Sequence, residues 1–151
     1  MDDREGNGTL RVAFAAPYGP HHRNAGAERV VSEQTFRNEE ARHLYEECRA
    51  FMDSGEFENA IEFFQKSNRL SPHFKTLELQ GECLHRLGRL NEAVVVLAAS
   101  TALNRGVRAP SLLAKVFLEL GETERSIYFA SDALSKDPNN KLAQSIIEAS
   151  S

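Results

Sequence analysis

An all-α fold is what the sequence predicts: a right-handed α-solenoid of three helix-turn-helix repeats closed by a terminal capping helix. Three observations carry that reading. Residues 54–64, 87–97 and 120–130 are versions of one stretch, and Gly55, Gly88 and Gly121 within them stand 33 residues apart. Ala60, Ala93 and Ser126 keep the same step, five residues after each glycine. Between these markers the apolar residues return at helical spacing rather than in alternation. A fixed period of this size marks a repeat architecture, in which each unit buries its apolar face on its neighbours. The glycine ends one helix where a positive φ is needed, and the small residue lets the next helix approach closely.

In chain order, helical periodicity starts at about Glu39, with Leu44, Cys48 and Phe51 on one face and Gly55 as the stop. A second helix runs from near Glu56 to about Arg69 and buries Phe57, Ala60, Ile61 and Phe64. Ser71-Pro72 then reads as N-cap and first turn of a third helix, where the missing N–H of proline costs nothing. That helix is lined by Leu77, Gly81 and Leu84, and its partner by Leu90, Ala93, Val94 and Leu97, ending near residues 104–106. Val94-Val95-Val96 is β-branched, but the period and the flanking helix formers outweigh a small propensity penalty. The third pair begins at Pro110, with Leu113, Ala114 and Phe117 inward. After Gly121 a helix from about Glu122 to Lys136 presents Ile127, Ala130, Ala133 and Leu134. Asp137-Pro138 repeats the cap-plus-proline start, and a last helix over about 139–148 offers Leu142, Ile146 and Ile147 to cover the final repeat. The repeats fall at about 41–73, 74–106 and 107–139.

Residues 1–38 differ from this. Pro17, Gly19, Pro20, Asn24 and Gly26 interrupt any helix, around an apolar island at residues 10–16. Either this is a disordered leader, or the island docks with Phe14 and Tyr18 on the helical domain or on a partner. The net charge is −4; residues 1–38 balance five arginines against five acids, so the surplus belongs to residues 39–151. An acidic domain argues against a general affinity for nucleic acid or anionic membranes. No apolar run is long enough to span a bilayer. Cys48 and Cys83 form no paired motif and read as free thiols of a reducing, cytoplasmic setting.

The residues resemble the tetratricopeptide repeat. Its pattern is met by Leu44, Glu47, Cys48, Phe51, Ala60, Phe64 and Pro72 in the first copy. The second gives Leu77, Gln80, Gly81, Leu84, Ala93 and Leu97, with Arg105 in place of the proline. The third gives Pro110, Leu113, Ala114, Phe117, Ser126, Ala130 and Pro138. The likeness covers about residues 39–148; it departs in its 33-residue step and in having no Trp. The resemblance implies a non-catalytic protein-interaction module that binds a peptide or partner segment along the concave face made by the first helix of each pair. Carried over, that face comprises Arg42, Tyr45, Arg49 and Met52, then Lys75, Glu78, Glu82 and His85, then Arg108, Ser111, Lys115 and Leu118. It is richer in cations than the whole domain, which suggests a ligand with acidic groups and an apolar anchor near Tyr45 and Leu118; ordinary solvated charges are the plainer account. The alternative is a self-associating scaffold whose leader fills the groove of its own or a neighbouring chain. The chaperone-binding subclass uses a five-residue carboxylate clamp, and the matching positions here are Tyr45, Arg49, Leu79, Arg108 and Leu112. Only Arg108 suits that role, so a chaperone-adaptor reading is set aside.

No catalytic constellation emerges. His43, His73 and His85 are dispersed, no His/Cys spacing matches a zinc site, and no glycine-rich phosphate loop is present. The sequence therefore implies neither cofactor nor metal.

Overall fold

The computed structural model describes residues 38–104 and 106–151, and these form seven α-helices. They are α1 (Glu39–Asp53), α2 (Phe57–Leu70), α3 (Phe74–Arg86), α4 (Leu90–Leu103), α5 (Arg108–Glu119), α6 (Thr123–Lys136) and α7 (Lys141–Ala149). The expected docking of the apolar island, with Phe14 and Tyr18, lies outside the described residues, as does Arg105.

The turns recur at the 33-residue step. Gly55, Gly88 and Gly121 have φ of 78°, 74° and 78°. At each, the glycine N–H bonds back to the carbonyl three residues earlier, as in Gly55 N to Met52 O at 3.0 Å. The next residue reaches one further, as in Glu56 N to Phe51 O at 2.8 Å. This is a Schellman closure, and only a residue without a β-carbon enters it unstrained. It reverses the chain in three residues, so α1 packs on α2, α3 on α4 and α5 on α6. Each second helix then packs on the next first helix (α2 on α3, α4 on α5, α6 on α7), and α5 also touches α3 and α7. The result is an all-α helical-repeat solenoid.

The pairs are drawn together by small residues: Ala60, Ala93 and Ser126 are fully buried. A feature not expected from the sequence adds to this. Ser67 on α2 donates its hydroxyl to Ala41 O of α1 at 2.7 Å, and Ser100, 33 residues on, donates to Phe74 O of α3 at 2.9 Å. The main core gathers Cys48, Phe64, Leu84, Leu97, Leu113 and Phe117 from the three repeats. A second, thinner core joins Ala114, Ala130, Ala133, Ala143 and Ile146.

Two boundaries and one residue differ from expectation. Ser71 does not cap α3, because its own N–H closes α2 on Ser67 O at 2.9 Å. Pro72 precedes the helix, and the cap is His73, whose buried Nδ1 accepts from Lys75 N at 3.2 Å. Likewise Asp137-Pro138 lies before α7, which Asn140 caps by accepting from Ala143 N at 2.9 Å. Ile127, expected inward, is 36% exposed. Its counterpart Ile61 is buried; the helix that packs on α6, α7, has nine residues against 13 in α3.

Candidate functional site

The first helices α1, α3 and α5 present residues in registers of 33. One register is Arg42, Lys75 and Arg108; the others are Tyr45, Glu78 and Ser111; Arg49, Glu82 and Lys115; and Met52, His85 and Leu118. All twelve expected site residues therefore lie on three equivalent helices, at four equivalent heights.

Their centre is ionic. Arg108, the first residue of α5, reaches across to α3, with Nε 3.4 Å from Glu78 Oε1 and Nη2 bonded to Glu82. Glu82 also accepts from Arg86 Nη2 at 3.1 Å, one helical turn on. Burial pushes the Glu78 carboxyl above the usual range, and Arg108 and then Lys75 oppose that rise. Further along, His85 Nε2 stands 2.9 Å from the Glu119 carboxylate of α5. Tyr45 is half-buried, its ring centroid 6.4 Å from that of Phe64. Burial raises its phenol pKa, and a side-chain hydrogen bond with Arg49 acts the other way. Arg42 pairs loosely with Glu39 at 3.7 Å.

Two expectations change. Ser111 is buried, and its hydroxyl donates to Val107 O and Arg108 O at the start of α5, both at 3.0 Å. One of the five cations of this face is also already engaged, because Arg108 is held by the carboxylates of Glu78 and Glu82. Arg49, Lys75 and Lys115 form no ion pair among the described residues. Arg86 belongs to the network of Glu78, Glu82 and Arg108, and Glu119 pairs separately with His85. His85 and Glu119 are 34 residues apart, off the repeat register, and only the folded helices show that they meet.

Cys48 and Cys83 are buried, with pKa values pushed up to about 12 chiefly by burial. Among the described residues no group of three His, Cys, Asp or Glu side chains is placed to hold a metal ion. No helix among them is long and apolar enough to cross a membrane.

The family model described as "Anaphase-promoting complex, cyclosome, subunit 3" matches residues 26–100, which include the first repeat and most of the second. No curated protein sequence matches the chain significantly. Among solved structures, the Arabidopsis OM64 TPR domain superposes with a TM-score of 0.72 at 15% identity, covering 74% of this chain and 94% of that one. The first TPR of Spaghetti (RPAP3), bound to the HSP90 peptide SRMEEVD, gives a TM-score of 0.69 at 21% identity over 74% and 93% of the two chains. The Yersinia enterocolitica type III secretion chaperone SycD, in complex with a peptide of the translocator YopD, gives 0.70 at 20% identity over 75% and 93%. Three copies of the motif, three Schellman-closed helix pairs and these superpositions agree: the chain has the tetratricopeptide-repeat fold.

Proposed function

We propose that the chain is a non-catalytic interaction module that holds an extended partner segment across the first-helix face. The observation that carries this reading is the set of cations left over there. Arg49, Lys75 and Lys115, one on each first helix, have no ion pair among the described residues, and half-buried Tyr45, Met52 and Leu118 lie on the same face. A segment with acidic side chains and one apolar anchor complements that arrangement. Exposed charge contacts contribute about 0.2–1 kcal/mol each, so the aromatic and arginine positions carry most of the affinity. Similar folds hold peptides: the Spaghetti domain an HSP90 peptide, and SycD a peptide of YopD. The buried, weakly acidic thiols support a non-catalytic role and suit a reducing compartment such as the cytoplasm.

The chaperone tail is not the ligand proposed. Leu79 and Leu112 are half-buried against the core, and Arg108 is held by Glu78 and Glu82. The test is capture of partners from a cell lysate by the wild type and by the Arg49→Glu and Lys115→Glu variants. Loss of the captured protein with unchanged melting supports the reading; undiminished capture by both variants overturns it.

A further inference from the structure

Away from the first-helix face, the first repeat carries a cleft of about 400 Å³ that is open among the described residues, between α1 and α2, lined by Glu47, Ala50, Phe51, Ser54, Glu56 and Phe63. Phe51 and Phe63 form its aromatic floor, with ring centroids 5.2 Å apart. The repeat register says what kind of element belongs there. Glu47, Ala50 and Phe51 correspond to Gln80, Cys83 and Leu84 in the second repeat, and to Leu113, Val116 and Phe117 in the third. All six of those counterparts are buried, at 0–6% exposure, whereas Glu47 and Ala50 are exposed and Phe51 is half-buried. In the second and third repeats the preceding second helix packs on this helix, α2 on α3 and α4 on α5. The cleft is thus the seat that a second helix takes at the interior junctions.

The charges around it identify the helix that fits. At the α2–α3 junction Asn68 of α2 donates to Gln80 at 3.2 Å, Arg86 stacks over Phe57 at 5.3 Å, and Arg89 pairs with Glu58 at 3.2 Å. The counterparts of Gln80, Arg86 and Arg89 in the first repeat are Glu47, Asp53 and Glu56, all exposed acids. Where the interior junction offers an amide and two cations to α2, the open seat offers three carboxylates. A copy of α2, with Glu58 at its second position, would be repelled by Glu56.

We infer that this seat docks a helix from a partner protein that is amphipathic and basic: apolar along the stripe facing Phe51 and Phe63, with Lys or Arg near both ends. The contacts of α2 set its length. They run from its first two residues to its twelfth, so about three turns span Glu56 and Asp53 at one end and Glu47 at the other. The site is separate from the first-helix face and does not depend on the function proposed for it.

The test uses the full chain and a fluorescein-labelled 14-residue helical peptide, with leucines on one face and lysines at positions 2 and 12, followed by anisotropy. Saturable binding is expected, and Ala50→Arg, or Glu47→Lys with Glu56→Lys, should weaken it by roughly tenfold or more while melting is unchanged. A scrambled peptide of the same composition should lose a similar factor, and Arg49→Glu should have no effect. No saturable binding, equal binding of the scrambled peptide, or indifference to Ala50→Arg overturns the inference.

Discussion

Gly81 on α3 faces Leu97 on α4 so closely that a β-carbon on residue 81 would stand 2.5 Å from Leu97 Cγ. Leu97 is fully buried and cannot swing away. In the third repeat the counterparts are Ala114 and Ala130, small on both sides and joined in the second core. From the second repeat to the third, the first-helix residue grows by a methyl while its partner shrinks from Leu97 to Ala130.

Gly81→Ala should lower stability despite the better helix propensity of alanine. Overpacking costs about 1–3 kcal/mol, against a propensity gain of up to about 1 kcal/mol. Denaturant unfolding of Gly81→Ala, Leu97→Ala and the double variant checks this. The double variant should be less destabilised than the sum of the singles, because removing Leu97 makes room for the new methyl.

Acid should destabilise the fold through His73. The folded histidine has its pKa lowered to about 4 by burial, with Lys75 adding to the effect, whereas the ordinary value is 6.5. The unfolded chain takes up the proton near 6.5 and the folded chain only near 4, so stability held above pH 6.5 drains as the pH falls to 4. The loss is on the order of 3 kcal/mol. His73→Asn keeps an acceptor for the α3 cap and should flatten this part of the stability–pH curve, measured by urea titration at stepped pH.

The two thiols should be silent in the native protein. With pKa values near 12 and no exposure, Cys48 and Cys83 present almost no thiolate at neutral pH. Labelling by Ellman's reagent should proceed only as fast as the protein opens, and should become immediate in 6 M guanidinium. Rapid native labelling would place either cysteine outside the core.

Arg108→Ala should cost about 0.5–1 kcal/mol at pH 7, the scale of a pair in which the cation stays largely solvated. The loss should shrink towards pH 4, because Glu78, whose carboxyl is held above the usual range by burial, takes up a proton and no longer needs a counter-charge. Paired melts of wild type and variant at the two pH values measure the difference. A loss that grows on acidification would mean the carboxylates do not depend on Arg108.

How far the chain could be read beforehand follows from the range of each interaction. The solenoid was legible because its turn is local: a Schellman closure needs one glycine in one place, and the sequence spells it at 55, 88 and 121. The start of α3 was misread because Ser71-Pro72 is the stronger local cap signal. What decides it is that the Ser71 N–H is already used by α2 and that His73 is buried. The serine bonds from Ser67 to Ala41 and from Ser100 to Phe74 left a trace, since both ends recur at the 33-residue step. The candidate surface was less legible. Helical position placed its residues, but only the folded chain shows Arg108 spent on Glu78 and Glu82, Ser111 turned inward, and Glu119 brought to His85.

The second core has a mechanical meaning. Its five buried residues are four alanines and Ile146, whereas the first holds Phe64, Leu84, Leu97, Leu113 and Phe117. Apolar burial scales with area, and in a stacked array each unit is secured only by its neighbours. The helix α6 still reaches the first core through Phe129, stacked on Phe117 at 5.6 Å. The last helix, α7, has only the thinner core to hold it, so its amides should exchange with solvent before those of α1–α4.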